Sequence, residues 1–431
     1  MNSTDLVSRP RLCSLPTEVK QAILCRLPDL RALKAAILSH SSIYSAFVNG
    51  KELITTQVLL NLIPRELLPD AAFALDASSI EGWTWSRGAT TQDWTREKVD
   101  AFSMQKLYQV VETFTSDLIT AALSSNPALP QYPPSSQEWN RVARSFYRLE
   151  IYRHLFRNRD DYDYGDKFER PKPAPDFQDE EQWDVFYKHY AVWELEQLAT
   201  AGEYLFRRTA IPLNEIAEHD VDWGSSGINY GMNDAWEFNQ IYGYIPGLLS
   251  NGLEFILEAT TAPTYEQRKL LLKRKLKGSY PFLPGLLQWI FQGGVQDSTP
   301  LKEYAIEQAE LLHIPEVPEP DSGPAEQFVW SVHCRELRAW GYVMWDNARL
   351  NESGIFSQPF TLPPLPDEEE LQRRKDATIA SMVKRRRLFR EGAKGWWAEG
   401  DESHLEWGKP PQFSDDEEDW EEQFIELISD L

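Results

Sequence analysis

The chain has 431 residues, of which 42% are hydrophobic and 16 are tryptophan, so it has enough apolar material for two or three folded domains. Its formal net charge of −23 at pH 7 argues against nucleic acid or an anionic membrane as a partner, because an acidic surface repels phosphates. The sequence has only three cysteines and no CxxC motif, which suits a reducing compartment. It also has no apolar leader and no apolar run of roughly 18 residues. These features predict a cytoplasmic or nuclear protein that does not enter a membrane.

Four short helices are predicted in the first part of the chain, between Leu15 and Pro64. Apolar residues recur there at three- and four-residue steps, which is typical of amphipathic helices. Proline at position 16 suits a first helical turn, and Asp29 can cap the second helix. Residues 10–65 are therefore predicted to form one small helical unit.

Longer helices are predicted from about residue 70 to 355, where aromatic side chains repeat at helical spacing and alternating strand patterns are nearly absent. The Pro-rich break at 127–134 is followed by Ser135 and, three residues later, Glu138, which matches a capping box. The fold is therefore predicted to be all-α, with a multi-helix body after the N-terminal unit.

A charged extension is predicted for residues 356–431. A Pro-rich linker leads into a highly charged stretch from Asp367 to Trp397, which predicts a protruding helix that is dispensable for folding. Gln412–Leu431 carries nine carboxylates and no basic residue, and its charge predicts pairing with the basic residues around Lys384–Arg390.

Two clusters of basic residues lie in this extension with the spacing of a bipartite nuclear import signal. Pairing with the acidic tail is the alternative explanation for them. The candidate import residues are Arg373, Arg374, Lys375, Lys384, Arg385, Arg386 and Arg387.

The histidines give no catalytic or metal-binding pattern. His219–Asp220–Val221–Asp222 clusters metal-type ligands but lacks the spacing of zinc sites, so a hydrogen-bonded loop histidine is the favoured interpretation. His333 and Cys334 are adjacent, and adjacent helical side chains point about 100° apart. No catalytic, cofactor-binding or metal-binding residue is predicted, and the protein is expected not to be an enzyme.

The opening Leu15–Pro16–Thr17–Glu18–Val19, followed by Ile23–Leu24 and Leu27–Pro28–Asp29–Leu30, resembles the F-box. Proteins with this module bind the Skp adaptor of cullin ubiquitin ligases. The resemblance implies an adaptor or substrate receptor for an unknown protein target. The residues that it assigns to Skp binding are Leu15, Pro16, Ile23, Leu24, Leu27 and Leu30.

Three further stretches, Tyr147–Arg153, Trp193–Leu198 and Trp340–Asp346, are similar to segments of F-box-like proteins from filamentous fungi. Considered as residues alone, they predict aromatic helix faces packed in a core. After Ser39 the usual basic residues of an F-box are replaced by His40–Ser41–Ser42, which leaves open a helical scaffold that keeps the F-box shape without the ligase partner.

Overall fold

The computed structural model describes residues 12–79, 101–156, 182, 185–225, 244–275, 337–354 and 368–411. Within these ranges the chain is helical apart from one two-stranded hairpin, which confirms the all-α prediction. The helices of the first half are α1 (Thr17–Leu24), α2 (Leu30–Ser39), α3 (Ser41–Val48), α4 (Lys51–Leu62), α5 (Leu68–Ser79), α6 (Ala101–Ser125) and α7 (Ser136–Phe156).

The remaining elements include one long helix, several short ones and the hairpin. They are α8 (Val192–His219), α9 (Val221–Ser225), α10 (Tyr244–Leu249), α11 (Leu253–Thr261), α12 (Tyr265–Lys275), α13 (Asn347–Glu352), α14 (Glu368–Arg390), β1 (Ala393–Gly395) and β2 (Leu405–Trp407). The two strands are antiparallel, with Lys394 opposite Glu406. No described helix is both long and apolar enough to cross a membrane.

The four predicted N-terminal helices are present, and local chemistry explains their ends. The Asp29 carboxylate accepts a hydrogen bond from the Ala32 amide at 2.7 Å and so caps α2. Apolar side chains of all four helices then pack into one core cluster, whose buried members are Leu24, Leu30, Leu33, Ile43, Ile54 and Val58.

These helices are not a separate unit, because α6 packs on their core. Ala101 contacts the core cluster, and the buried Gln105 side chain accepts a hydrogen bond from the Leu30 amide at 2.7 Å. The structure divides the chain into two compact units, the first containing α1–α7 with Met344–Asp346. This division differs from the predicted boundaries at 10–65, 70–355 and 356–431.

The predicted capping box at the start of α7 is present. The Ser135 hydroxyl accepts from the Glu138 amide at 3.1 Å, and the Glu138 carboxylate accepts from the Ser135 amide at 2.8 Å. The same carboxylate accepts from the Asp346 amide at 3.0 Å, and Arg141 donates to Asp346 at 2.7 Å. The cap therefore also joins α7 to a segment about two hundred residues later.

Among the described helices of the second unit, α8 is the longest, and α10, α11 and α12 pack against it. Arg338 and Glu196 form a two-bond ion pair at 2.7 and 2.9 Å that is almost wholly buried. Removing one partner of such a pair would leave the other charge buried and unpaired, which is strongly destabilising. The pair therefore holds the segment around Arg338 in one position against α8.

The prediction that the helix after Asp367 protrudes is contradicted, whereas its dispensability for folding stays a prediction that truncation would test. We call residues 368–411 the C-terminal module. Two of its elements, α14 and β1, pack against α9. Met382, Leu388, Ala393 and Trp397 are buried, and Arg385 is 0% exposed. Charged side chains occupy the outer face of α14, but its inner face belongs to the core of the second unit.

Candidate functional site

A row of exposed apolar residues lies just before and along α1, and it is the first candidate site. Leu12, Pro16, Val19 and Ile23 recur at helical spacing, and Val19 and Ile23 are 42% and 39% exposed. Leu15 is half-buried beside them. Of the predicted Skp-binding set, Pro16 and Ile23 belong to this row, whereas Leu12 and Val19 were not predicted.

Two of the six residues assigned to Skp binding lie in the core instead. Leu24 and Leu30 are 2% and 1% exposed, and Leu27 is half-buried against the same core cluster. Their burial leaves almost no side-chain surface for a partner, so their role here is packing. Sequence analysis missed this because α6, which covers Leu30, begins about seventy residues later.

Exposed apolar side chains are concentrated in the N-terminal helices. Of fourteen large hydrophobic side chains that are exposed among the described residues, seven lie between Leu12 and Leu53. The segment Leu12–Leu62 carries five basic and three acidic residues, whereas the whole chain has a net charge of −23. Exposed apolar side chains in a segment with a small positive charge favour contact with an acidic protein partner.

A buried polar cluster around Asp220 is the second candidate site. The Asp220 side chain is fully buried and accepts from the Trp223 amide at 2.9 Å and from the Tyr265 hydroxyl at 2.8 Å. The Lys269 ammonium lies 2.5 Å from Asp220 and 3.1 Å from Asp222. The Asp220 cluster therefore joins α9 to α12.

The electrostatics of this cluster favour a structural role. Burial lowers the pKa of Lys269, but hydrogen bonds and charge from Asp220 and Asp222 outweigh it and raise that pKa. Burial, followed by the Asp220 carboxylate, raises the pKa of Tyr265. Lys269 therefore stays protonated and is no nucleophile at neutral pH, and Tyr265 stays neutral and is no base.

The C-terminal module also contacts the chain at His219 and Asp220, next to the Asp220 cluster. The Arg385 guanidinium donates to the Asp220 carbonyl at 2.9 Å. The Trp397 amide donates to the His219 carbonyl, and Nδ1 of His219 donates to the Trp397 carbonyl, both at 2.9 Å. The His219 ring also lies against Trp396, with ring centroids 4.7 Å apart. The predicted hydrogen bonding of His219 is present, with Trp397 after the first strand of the hairpin as partner, but the residue ends the helix α8 and does not lie in a loop.

Gly224 gives a direct test of how closely α14 packs on α9. A Cβ atom at this position would lie 2.6 Å from the Arg385 Cβ, closer than side chains can approach. In an exposed helix, Gly→Ala would stabilise by about 1 kcal/mol. Here we expect Gly224→Ala to destabilise by about 1–3 kcal/mol through overpacking. Chemical denaturation measures the change, and an unaltered or higher midpoint would contradict this packing.

The candidate import residues lie on α14, and they do not share one surface. Arg373, Arg374 and Arg387 are exposed, but Arg385 is fully buried and Lys384 and Arg386 are half-buried. The side chain of Lys375 lies outside the described residues. An import receptor could contact Arg385 only after α14 is released from α9.

The other sequence motifs have mixed outcomes. Among the described residues no group of three or more His, Cys, Asp or Glu side chains could hold a metal ion. His333 and Cys334 lie outside those residues. Most aromatic and aliphatic side chains of the three stretches similar to fungal F-box-like proteins are buried, as the packing interpretation predicts, although Trp193 is 57% exposed.

Comparison with known proteins adds no relative: no protein-family model, no curated protein and no solved structure matches this chain.

Proposed function

We propose that this protein is a non-enzymatic F-box-like adaptor, cytoplasmic or nuclear, that binds a Skp-type ligase adaptor through the apolar row on α1. The observation that carries the proposal is the concentration of exposed apolar side chains in the N-terminal helices. An exposed apolar surface of this kind is typical of a protein-binding site. The contact uses Pro16, Val19 and Ile23, with Leu15 at its edge.

The body that follows presents a protein target in this proposal. The buried side chains around Asp220 and Glu196 form ion pairs and hydrogen bonds with one another, which supports a structural role for them. They hold the helices in fixed positions, which suits a rigid platform for a bound protein.

The alternative is a helical scaffold that keeps the F-box shape without binding the ligase. The burial of Leu24 and Leu30 favours it, since these side chains would otherwise enlarge the docking surface. The two candidates differ in one measurable property, namely whether a Skp-type adaptor co-purifies with the full chain.

Affinity purification of the full chain followed by mass spectrometry should find a Skp-type adaptor near stoichiometry. The double variant Val19→Ala/Ile23→Ala should reduce its recovery at least tenfold, because truncating central interface residues costs about 1–2 kcal/mol each or more. Its unfolding midpoint should barely move, since both side chains are already exposed.

Two controls complete this test. Ile211→Ala removes a still more exposed apolar side chain, 63% exposed, from α8 and should leave adaptor recovery unchanged. Leu24→Ala should instead destabilise the fold by about 2–5 kcal/mol, as buried leucine truncations do. Absence of a Skp-type adaptor from the wild-type purification would leave the scaffold as the function.

A further inference from the structure

The end of α12 carries a basic and apolar surface that the proposed function does not use. Leu270 is 52% exposed, and one turn later Lys273 and Arg274 lie on the same side of the helix, with Lys275 beside them. We call these four residues the α12 patch. Basic residues are favourable at a helix C-terminus because they interact with the helix dipole. The dipole does not explain the exposed leucine beside them.

The α12 patch differs from the basic residues of α14 in its pairing. Arg373 and Arg374 both pair with Glu370 on their own helix, and Arg387 pairs with Glu391. Within the described part of the chain, no carboxylate pairs with Lys273, Arg274 or Lys275. In a chain with 67 acidic residues and 44 basic ones, three adjacent unpaired cations fit an acidic occupant.

The C-terminal segment 412–431 of the same chain has the matching chemistry. It has nine carboxylates and no basic residue. Its apolar residues recur at helical spacing, which predicts an amphipathic helix with one apolar face and an acidic remainder. These residues are Trp420, Phe424, Leu427, Ile428 and Leu431. Such a helix can place its apolar face on Leu270 and its carboxylates on the cations around it.

The described part of the chain ends beside elements that contact α12. The Gly408 amide donates to the Gly392 carbonyl, so the last described residues follow directly after the hairpin. The same hairpin bridges Asp220 through Trp396, and Asp220 contacts Lys269, one turn before Lys273 on α12. Eight residues, 412–419, span up to about 26–29 Å before the predicted helix begins. A tether of this length keeps the local concentration of the tail in the millimolar range.

We propose that residues 412–431 dock in cis on the α12 patch as an acidic amphipathic helix. The predicted pairing of the acidic tail with the residues around Lys384–Arg390 involves a segment outside the described residues and stays a prediction. We place the tail on α12 because Arg373, Arg374 and Arg387 of α14 already pair with nearby glutamates. Docking covers the exposed cations of the α12 patch and keeps other acidic molecules away from them. The proposal does not depend on Skp binding.

Carbodiimide cross-linking of the full chain tests the proposal, because it joins only amines and carboxylates in direct contact. We expect intramolecular links from Lys273 and Lys275 to carboxylates of 415–430, and at least a tenfold loss of these links at 1 M salt, where charges are screened within about 3 Å. The variant Lys273→Glu/Arg274→Glu/Lys275→Glu should remove the tail's protection from hydrogen exchange.

Two further variants serve as matched tests. One distinguishes docking on α12 from docking on α14, and the other measures the contribution of apolar contacts apart from that of charge. Arg373→Glu/Arg374→Glu/Arg387→Glu makes the same charge change on α14 and should leave tail protection intact. Phe424→Ala/Ile428→Ala should speed tail exchange at least tenfold while all charges remain. Links to Lys384 or Lys394 alone would overturn the choice of α12. Links only between isotopically distinct copies would overturn docking in cis.

Discussion

Replacing Asp220 by asparagine is expected to destabilise the second unit by about 3 kcal/mol or more. The carboxylate is fully buried, and its loss leaves the Lys269 ammonium, only 14% exposed, beside an amide. Breaking a buried ion pair by removing one partner typically costs about 3–5 kcal/mol. In a domain of 150–250 residues this lowers the midpoint of thermal unfolding by about 6 °C or more.

Asp222→Asn is the matched control, because Asp222 pairs with the same lysine but is 25% exposed. Exposed or partly exposed pairs contribute about 0–1 kcal/mol, so this variant should lose less than 1 kcal/mol. Both variants are compared by chemical denaturation at one pH and salt concentration. Equal losses would mean that Lys269, and not the burial of Asp220, determines the stability of this region.

Removal of the C-terminal module should have the largest effect of any change considered. A chain that ends at Pro366 lacks the buried side chains of Met382, Leu388, Ala393 and Trp397, and it exposes the face of α9 that they cover. Truncating single large apolar side chains in a core costs about 2–5 kcal/mol. The combined loss therefore approaches the whole stability of an ordinary domain, about 5–15 kcal/mol.

A chain that ends at Pro411 keeps the C-terminal module and is the control for this truncation. We expect it to unfold cooperatively near the wild-type midpoint, whereas the chain ending at Pro366 should lose the transition of the second unit. Near-ultraviolet circular dichroism and hydrogen exchange in α9 report the difference. Equal cooperativity in both chains would restore the expectation that residues after Asp367 are dispensable.

Features that depend on neighbouring residues were predictable from sequence. Asp29 caps α2, and Ser135 with Glu138 forms a capping box, because each interaction spans three residues and uses side chains whose chemistry suits a helix start. Helical spacing of apolar residues likewise predicted the helical fold and the four N-terminal helices.

Features set by distant parts of the chain were not predictable in this way. Spacing places Leu24 and Leu30 on an apolar face, but it does not say whether that face meets α6 or a partner. Four residues of α14 form a buried row, namely Thr378, Met382, Arg385 and Leu388. The arginine interrupts the apolar pattern of this row in the sequence, so the pattern did not indicate a buried helix face. Only its bond to the Asp220 carbonyl, 165 residues away, reveals that this arginine belongs inside.

That separation of 165 residues also sets an order of events during protein synthesis. Ribosomes add about 5–20 residues per second, so Arg385 is made roughly 10–30 s after Asp220. Tyr265 and Lys269 are made about 2–10 s after Asp220, in the first third of that interval, and can engage the Asp220 side chain early. Val221 and Trp223 must wait for the last part of the chain, and until then their apolar surface is open to chaperones and proteases. Nascent chains that stop between α12 and α14 should therefore be captured by chaperones, while chains completed through Trp397 should be released.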